Sequence, residues 1–347
     1  MSAHPHLKQI IESRAILTRD EARTLMQHIL AGELSDIQLA ALLGALAARG
    51  ETAPEIAGFV DAMRAAALSL PLTADERLKL VDTCGTGGDL SGTFNISTAA
   101  ALTAAAAGAT VAKHGNRAVT SRSGSADVLE ALGIPVALSP IDAANALRLY
   151  RFAFLHAPAL HPAMKAVLPV RRALGVRTIF NIIGPLTNPA GASAQVMGVY
   201  APHLVPIVAE AMALLGTRHA FVVHGTTDSE GGLDELSLSG LSQMAEVRAG
   251  TVTLHTLSPE DAGLASAPLE ALAGGDATTN AAILTAIFSS ETGPRRDIVL
   301  LNAAAVLITA GLANDLPAGV ALAARAIDTG AVTALITVLA ASHPTEP

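Results

Sequence analysis

A chain of 347 residues, 51% of them hydrophobic, is long enough for two domains and apolar enough to bury a core in each. Its net charge of −8, with seven Phe, two Tyr and no Trp, argues against the basic, base-stacking surface of a nucleic-acid-binding protein. One cysteine, Cys84, excludes an intrachain disulfide; the N-terminus carries no apolar signal core, and the alanine-rich run of residues 98–112 is too short for a membrane span, so a soluble cytoplasmic protein is expected.

The first seventy residues read as helix throughout. Thr18 to Glu21, Ser35 to Gln38 and Thr52 to Glu55 each place a hydroxyl three residues before a Glu or Gln, the pattern of a capping box at a helix start. Gly32 and Gly50 fall where those helices would end. Pro71 and the polar TADER close an all-α domain of residues 1–72.

From residue 78 the texture changes. LKLVDTC reads as a strand running into a glycine loop, followed by an alanine-rich helix, a strand ATVA, a basic loop, a helix DVLEALG and a strand IPVAL. AFVVHG at 220–225 is a further strand, and the chain after Asn280 reads as helix. Strands alternating with helices predict an α/β domain over 78–347, a mostly parallel central sheet flanked by helices.

Three segments carry chemistry. The first, TCGTGGDLSGTFNIST at 83–98, nearly fits two phosphate motifs and fails both. A dinucleotide fingerprint from Gly85 needs glycine where Leu90 stands, and a P-loop from Gly87 needs Lys and Ser/Thr where Thr93 and Phe94 stand. The physics survives: bare backbone N–H groups before a helix start near Ser97 suit an anion, and Asn95, Ser97 and Thr98 add donors. Cys84 reads as packed at a strand end. The second segment places Lys113, His114, Arg117 and Arg122 in ten residues after a strand, a local positive patch at the strand end where ligands of parallel sheets gather. The third is Asp234-Glu235 after AFVVHG, a carboxylate pair suited to Mg²⁺ shared with phosphate oxygens.

GTGGD…TFNIST (85–98), KHGNRAVTSRSGSADVLEALG (113–133), HPAMKAVLPVRRALGVRTIFNIIGPLTNP (161–189), GLDELS (232–237) and GPRRDIVLLNAA (293–304) together resemble the anthranilate phosphoribosyltransferase family, in order and over nearly the whole chain. The resemblance implies transfer of the phosphoribosyl group of phosphoribosyl pyrophosphate to anthranilate, with release of pyrophosphate, in tryptophan biosynthesis. It implies phosphoribosyl pyrophosphate contacts from Gly85, Gly88, Asp89, Thr93, Asn95, Ile96, Ser97 and Thr98. The second loop would add Lys113, His114, Gly115, Asn116, Arg117, Ala118, Val119, Thr120, Ser121 and Ser125. Gly85, Asn116 and Arg171 match the anthranilate contacts, with His114 and His161 along the same channel. Ser97, Asp234 and Glu235 match ligands of two Mg²⁺ ions per subunit. No catalytic acid or base is implied; orientation and charge stabilisation carry the rate. The family also implies a homodimer through the helical domain, to which a helical segment near 165–190 is joined. Two departures from its pattern are Leu90, where relatives have glycine, and a longer segment at 226–231. The alternatives are a pyrimidine nucleoside phosphorylase, whose family has a related glycine loop but a different motif at KHGNR, and a non-catalytic nucleic-acid-binding relative, against which the net charge and the metal-site residues speak.

Overall fold

The computed structural model describes residues 4–118, 122–228 and 231–342. Helices α1 (His4–Ser13), α2 (Arg19–Leu30), α3 (Asp36–Arg49) and α4 (Ala53–Ala65) form an N-terminal bundle. The capping boxes stand where the sequence puts them, at Thr18, Ser35 and Thr52, and Gly50 caps the end of α3. The third box does more than close α4. Glu55 is fully buried, and its carboxylate accepts from Thr52 N at 3.0 Å, from Leu17 N at 3.0 Å and from Arg49 Nη2 at 2.6 Å. One charge thus ties the entry to α2, the end of α3 and the start of α4.

A short α5 (Ala74–Leu78) leads to β1 (Leu80–Asp82), and α6 (Ile96–Ala106), β2 (Thr110–Gly115), α7 (Ser125–Ala131), α8 (Pro140–Tyr150) and β3 (Phe152–His156) follow. Then come α9 (Ala157–Leu160), α10 (Leu168–Leu174), α11 (Ile179–Ile183), β4 (Ala194–Gly198), α12 (Leu204–Leu214), β5 (His219–Thr226) and β6 (Gly232–Leu233). The chain ends with the hairpin β7 (Ser242–Arg248) and β8 (Thr251–Leu257) and helices α13 (Ala277–Phe288), α14 (Pro294–Thr309), α15 (Leu316–Asp328) and α16 (Ala331–Ala341). The sheet order is β3-β2-β1-β4-β5-β7-β8, with β6 beside β5. The first five strands in that order are parallel, with Val81 facing Val111 on one side and Ala194 on the other; β7 and β8 are antiparallel. The protein is therefore α/β with a separate helical domain, as its pattern predicts. Among the described residues no single helix is long and apolar enough to cross a membrane.

Both faces of the sheet are covered, so strand residues alternate between two cores. Along β5, Phe221 and Val223 join α6 and α14, whereas Ala220 and Val222 join α12 and, beyond it, the N-terminal bundle. Val170, Ile179, Phe180 and Ile183 of α10 and α11 lie in that second cluster with α2, α3 and α4.

Two local expectations need correction. Residues 134–138 (IPVAL) are not hydrogen-bonded into the sheet. Ile134 and Val136 are buried, but Pro135 has no N–H for a ladder, and Phe152–His156 takes the place beside β2. The segment KHG is not the start of a loop: Lys113, His114 and Gly115 continue β2, paired with Phe154, Leu155 and His156. The β7–β8 hairpin was not foreseen. Its turn places Ala249 and Gly250 at φ 51° and 80°, and alanine is an unusual residue for that conformation.

Replacing Glu55 by Ala leaves Arg49 without its buried partner and three chain segments without their common acceptor. A loss of about 3–5 kcal/mol is expected, read as a lower urea midpoint; an unchanged midpoint would refute the role.

Candidate functional site

The sheet order reverses at β1. Its successors β2 and β3 lie to one side and β4 and β5 to the other, which opens a crevice beyond the carboxyl ends of β1 and β4. The glycine loop leaves β1 there. Its partner is the segment carrying Asp234, and the two meet over Gly198, the last residue of β4. A Cβ on Gly198 would fall 1.4 Å from Asp234 O, so only glycine lets the backbones cross. Thr86 N donates to Gly198 O at 2.9 Å and Gly87 N to Asp234 Oδ2 at 2.7 Å, and Asp234 N donates to Asp89 Oδ2 at 3.2 Å. The two segments that the sequence singled out, far apart in the chain, are thus hydrogen-bonded to one another.

Below the loop sits a residue that sequence reading missed. Asp82 is buried; its Oδ1 accepts from Thr83 N at 2.7 Å, Cys84 N at 3.1 Å and His114 N at 3.1 Å, and Asn188 Nδ2 donates to Oδ2 at 2.8 Å. Burial pushes its carboxyl up to about 6 against the opposing pull of Asn188 and Lys113. Asn188 also donates to Ala112 O at 2.8 Å, so the GPLTNP segment clamps β1 to β2 just where both loops leave. Burial pushes the thiol of half-buried Cys84 up, which disfavours the thiolate.

The expected basic patch is not one patch. Lys113 is buried and points at the glycine loop, Nζ donating to Thr83 Oγ1 at 3.0 Å and Ser97 Oγ at 3.3 Å. Burial lowers its ammonium while the Asp82, Glu235 and Asp234 charges hold it up. Arg117 turns away to α7, pairing with Glu130 at 2.6 Å and Asp127 at 3.1 Å. Asp127, another residue the sequence reading passed over, also accepts from Ala118 N and Gly124 N, both at 2.9 Å, and so brackets the loop that leaves β2. Asn116 is exposed at the head of that loop, and Ser125 sits beside Gly115, whose Cβ would lie 3.4 Å from that of Ser125. Val119, Thr120 and Ser121 lie outside the described residues.

Asp234 and Glu235 carry the strongest electrostatic signal. Burial first, then the charge of Asp89, raises Asp234; burial first, then Asp234, raises Glu235, with Lys113 and the Ser97 N–H opposing. Two neighbouring, half-buried carboxylates that repel one another fit a dication, which would reverse both shifts. Among the described residues no three His, Cys, Asp or Glu side chains form a closed metal shell, so ligand oxygens or water would have to complete one. Ser97 stands in the first turn of α6, within reach of Lys113 and Glu235. Ile96 and Thr98 are buried, so Ile96 offers only backbone; the Thr98 hydroxyl has no hydrogen-bond partner. Thr93 is tied to Ser91, and the Asn95 amide is engaged by Ser123 and Asn280. Leu90 is left-handed at φ 62° and points into solvent.

The rings of His114 and His161 lie 5.3 Å apart, both buried, with three of their four ring nitrogens unpartnered. Burial, then His161, drives His114 down to about 3, and burial drives His161 down to about 4. Both rings are held neutral near pH 7. His156, which the sequence reading set aside, has an unpartnered Nε2 of its own. Arg171 lies over the Phe180 ring at 5.3 Å, and burial lowers its guanidinium with no carboxylate among the described residues offsetting the shift. Arg177, another residue not foreseen, stacks on Tyr200 at 4.2 Å and donates to Gly88 O.

Residues 77–333 match the glycosyl transferase family a/b domain, and residues 4–67 match that family's helical bundle domain. The fold and the crossed loops thus define a two-domain glycosyl transferase. The chain is 50% identical over 341 residues to the anthranilate phosphoribosyltransferase of Solibacter usitatus, covering 98% of each, and 48% identical over 331 residues to that of Nitrosospira multiformis, covering 95% and 93%. It is similar to the crystal structure of anthranilate phosphoribosyltransferase from Thermus thermophilus, with a TM-score of 0.89 at 45% identity over 98% of this chain and 99% of that one. The Saccharomyces cerevisiae enzyme in complex with PRPP and Mg superposes with a TM-score of 0.84 at 26% identity over 98% of each chain. The chain belongs to the anthranilate phosphoribosyltransferase family.

A histidine whose folded pKa lies below its unfolded 6.5 takes up its proton first in the unfolded chain, so its contribution to stability is lost as pH falls from 6.5 toward the folded value. For His114 and His161 that window runs from about 6.5 down to 4 and below. The double variant His114→Asn, His161→Asn should lose less stability than the parent between pH 7 and 5, by up to about 1.4 kcal/mol per pH unit per site. Parallel stability curves from chemical denaturation would contradict the assignment.

Proposed function

We propose that this crevice transfers the phosphoribosyl group of phosphoribosyl pyrophosphate to the amine of anthranilate. One C1–O bond breaks as pyrophosphate leaves, one C1–N bond forms, and the acidic anilinium proton is lost to water. An aryl amine is neutral and nucleophilic near pH 7, so no strong base is required. The observation that carries the reading is the crossing at Gly198, which sets the bare backbone of Gly85–Gly88 against the Asp234-Glu235 pair.

The glycine loop and the first turn of α6 supply N–H donors to the pyrophosphate, and Lys113 adds a charge from beneath. Ser97, Asp234 and Glu235 would hold Mg²⁺, two ions per subunit, and a bound ion supplies neutralisation of the charge that develops on the leaving group. The Saccharomyces cerevisiae enzyme with PRPP and Mg supports this choice of metal. Arg171 offers its fork of donors to the anthranilate carboxylate, and Gly85, Asn116, His114 and His161 border the aromatic ring. Orientation of the two substrates is the main source of rate, worth up to roughly 7–11 kcal/mol in favourable systems.

The helical domain of residues 1–72, joined by the segment near 165–190, is the dimer surface in this reading. Ile11, Ile16 and Ile37, exposed at 49%, 62% and 83%, support an apolar contact there. Light scattering should give twice the chain mass, and Ile37→Glu should shift the equilibrium toward monomer; a monomeric parent protein would refute the dimer.

Purified protein with phosphoribosyl pyrophosphate, Mg²⁺ and anthranilate should consume anthranilate fluorescence, and EDTA should abolish the loss. Asp234→Asn with Glu235→Gln should lower turnover by at least about a hundredfold, and Arg171→Ala should raise chiefly the anthranilate KM. Undiminished Mg²⁺-dependent turnover in the double variant would remove these carboxylates from the metal site.

A further inference from the structure

Residues 272–280 have no part in the chemistry above, yet they hold the loops that do. Thr93 and Ala273 form an isolated antiparallel bridge. Phe94 N donates to Leu272 O at 3.3 Å, and Gly274 N donates to Gly92 O at 2.9 Å. The approach is close: a Cβ on Gly274 would lie 2.6 Å from both Cα and N of Phe94. From the other side Arg295 Nη2, at the start of α14, donates to Ala273 O at 3.0 Å. The end of the glycine loop is therefore splinted by a strand-like segment that is itself pinned to a core helix.

The splint continues through two amides. Asn280, 2% exposed in the first turn of α13, accepts from Gly275 N at 2.7 Å and donates through Nδ2 to Asn95 Oδ1 at 2.9 Å. Asn95 in turn donates to Ser123 O at 3.1 Å and accepts from Ser123 Oγ at 3.2 Å. Ser123 belongs to the loop that leaves β2, and Asn95 is the residue before α6. Asn280 and Asn95 thus join three separate segments: the approach to α6, the loop after β2 and the turn before α13. A buried amide chain of this kind is worth more as a set than as single bonds, because each member left unpaired carries the cost of desolvation.

We propose that residues 272–280, through Gly274 and Asn280, are a positioning element for the pyrophosphate of the ribosyl donor: they fix the glycine loop and the loop after β2 in one arrangement before the substrate arrives. They touch no substrate atom themselves. The inference rests on the phosphoribosyl pyrophosphate reading above, and turnover of the parent protein with that donor decides the reading separately.

Gly274→Ala forces the backbone of Phe94 away. Asn280→Asp keeps the acceptor for Gly275 N–H but removes the donor to Asn95 and sets a carboxylate against its oxygen. In each, the melting temperature should fall, since backbone must shift or a buried amide loses its partner, but the effect on kinetics should be selective. The KM for phosphoribosyl pyrophosphate rises about tenfold at a temperature where the variant is fully folded, with kcat and the anthranilate KM within about threefold of the parent. A donor KM equal to the parent's, or a rise in both KM values that only follows a fall in melting temperature, overturns the proposal. If neither variant folds, hydrogen exchange of the parent protein decides. Peptides covering 92–95 and 272–280 should slow together when phosphoribosyl pyrophosphate is added, and a donor-bound protein in which 272–280 exchanges as in the free protein overturns it equally.

Discussion

Where β4 ends, the carbonyl of Asp234 occupies the place in which any side chain on Gly198 would begin. Everything at the site follows from that contact. It brings Asp234, 147 residues along the chain, into a hydrogen bond with Gly87 of the glycine loop, at the reversal of strand order where a crevice opens. Gly85 lies in the same contact, since a Cβ there would sit 2.9 Å from Gly198 O and 3.2 Å from Asp234 Oδ2. Backbone, not side chain, fills the tightest point, and the chemistry is arranged around it.

The charges around this point are unbalanced in the isolated chain. Asp234 and Glu235 are pushed toward protonation while Lys113 is pushed toward deprotonation, the largest cause in each case being burial. Arg171 is half-buried with its guanidinium lowered, and His114 and His161 are held neutral. A polyanionic donor, a divalent cation and an aromatic acid would supply the charges that these groups lack. Perturbed groups gathered where the glycine loop meets the Asp234 segment mark a candidate functional site.

Legibility from sequence depended on how local the cause was. The capping boxes at Thr18, Ser35 and Thr52 need only three residues of context and were read correctly; so were the strand at 220–225 and the helix start near Ser97, which falls at Ile96. IPVAL misled because strand propensity says nothing of which segment wins the place beside β2, and a proline stood in it. The basic patch misled because Lys113 lies within β2 and turns into the core, whereas Arg117 lies beyond the strand end and pairs with Asp127 and Glu130. Asp82–Asn188 and Asn95–Asn280 were invisible for a plainer reason. Their partners lie 106 and 185 residues apart, and a single Asp or Asn announces nothing about a distant amide. The residues that touch substrate in this reading came from motif text; those that hold them in place came only from the fold.

The buried cluster of the N-terminal bundle begins at Ile10 and ends at Val247 of β7, with α12 between bundle and sheet. The helices up to Ala65 therefore leave the ribosome well before the strands that complete their core have been made. At synthesis rates of roughly 5–20 residues per second the interval is on the order of ten seconds or more. During that time the bundle has capped helices but an open apolar side. Its final assembly waits on the far end of the sheet.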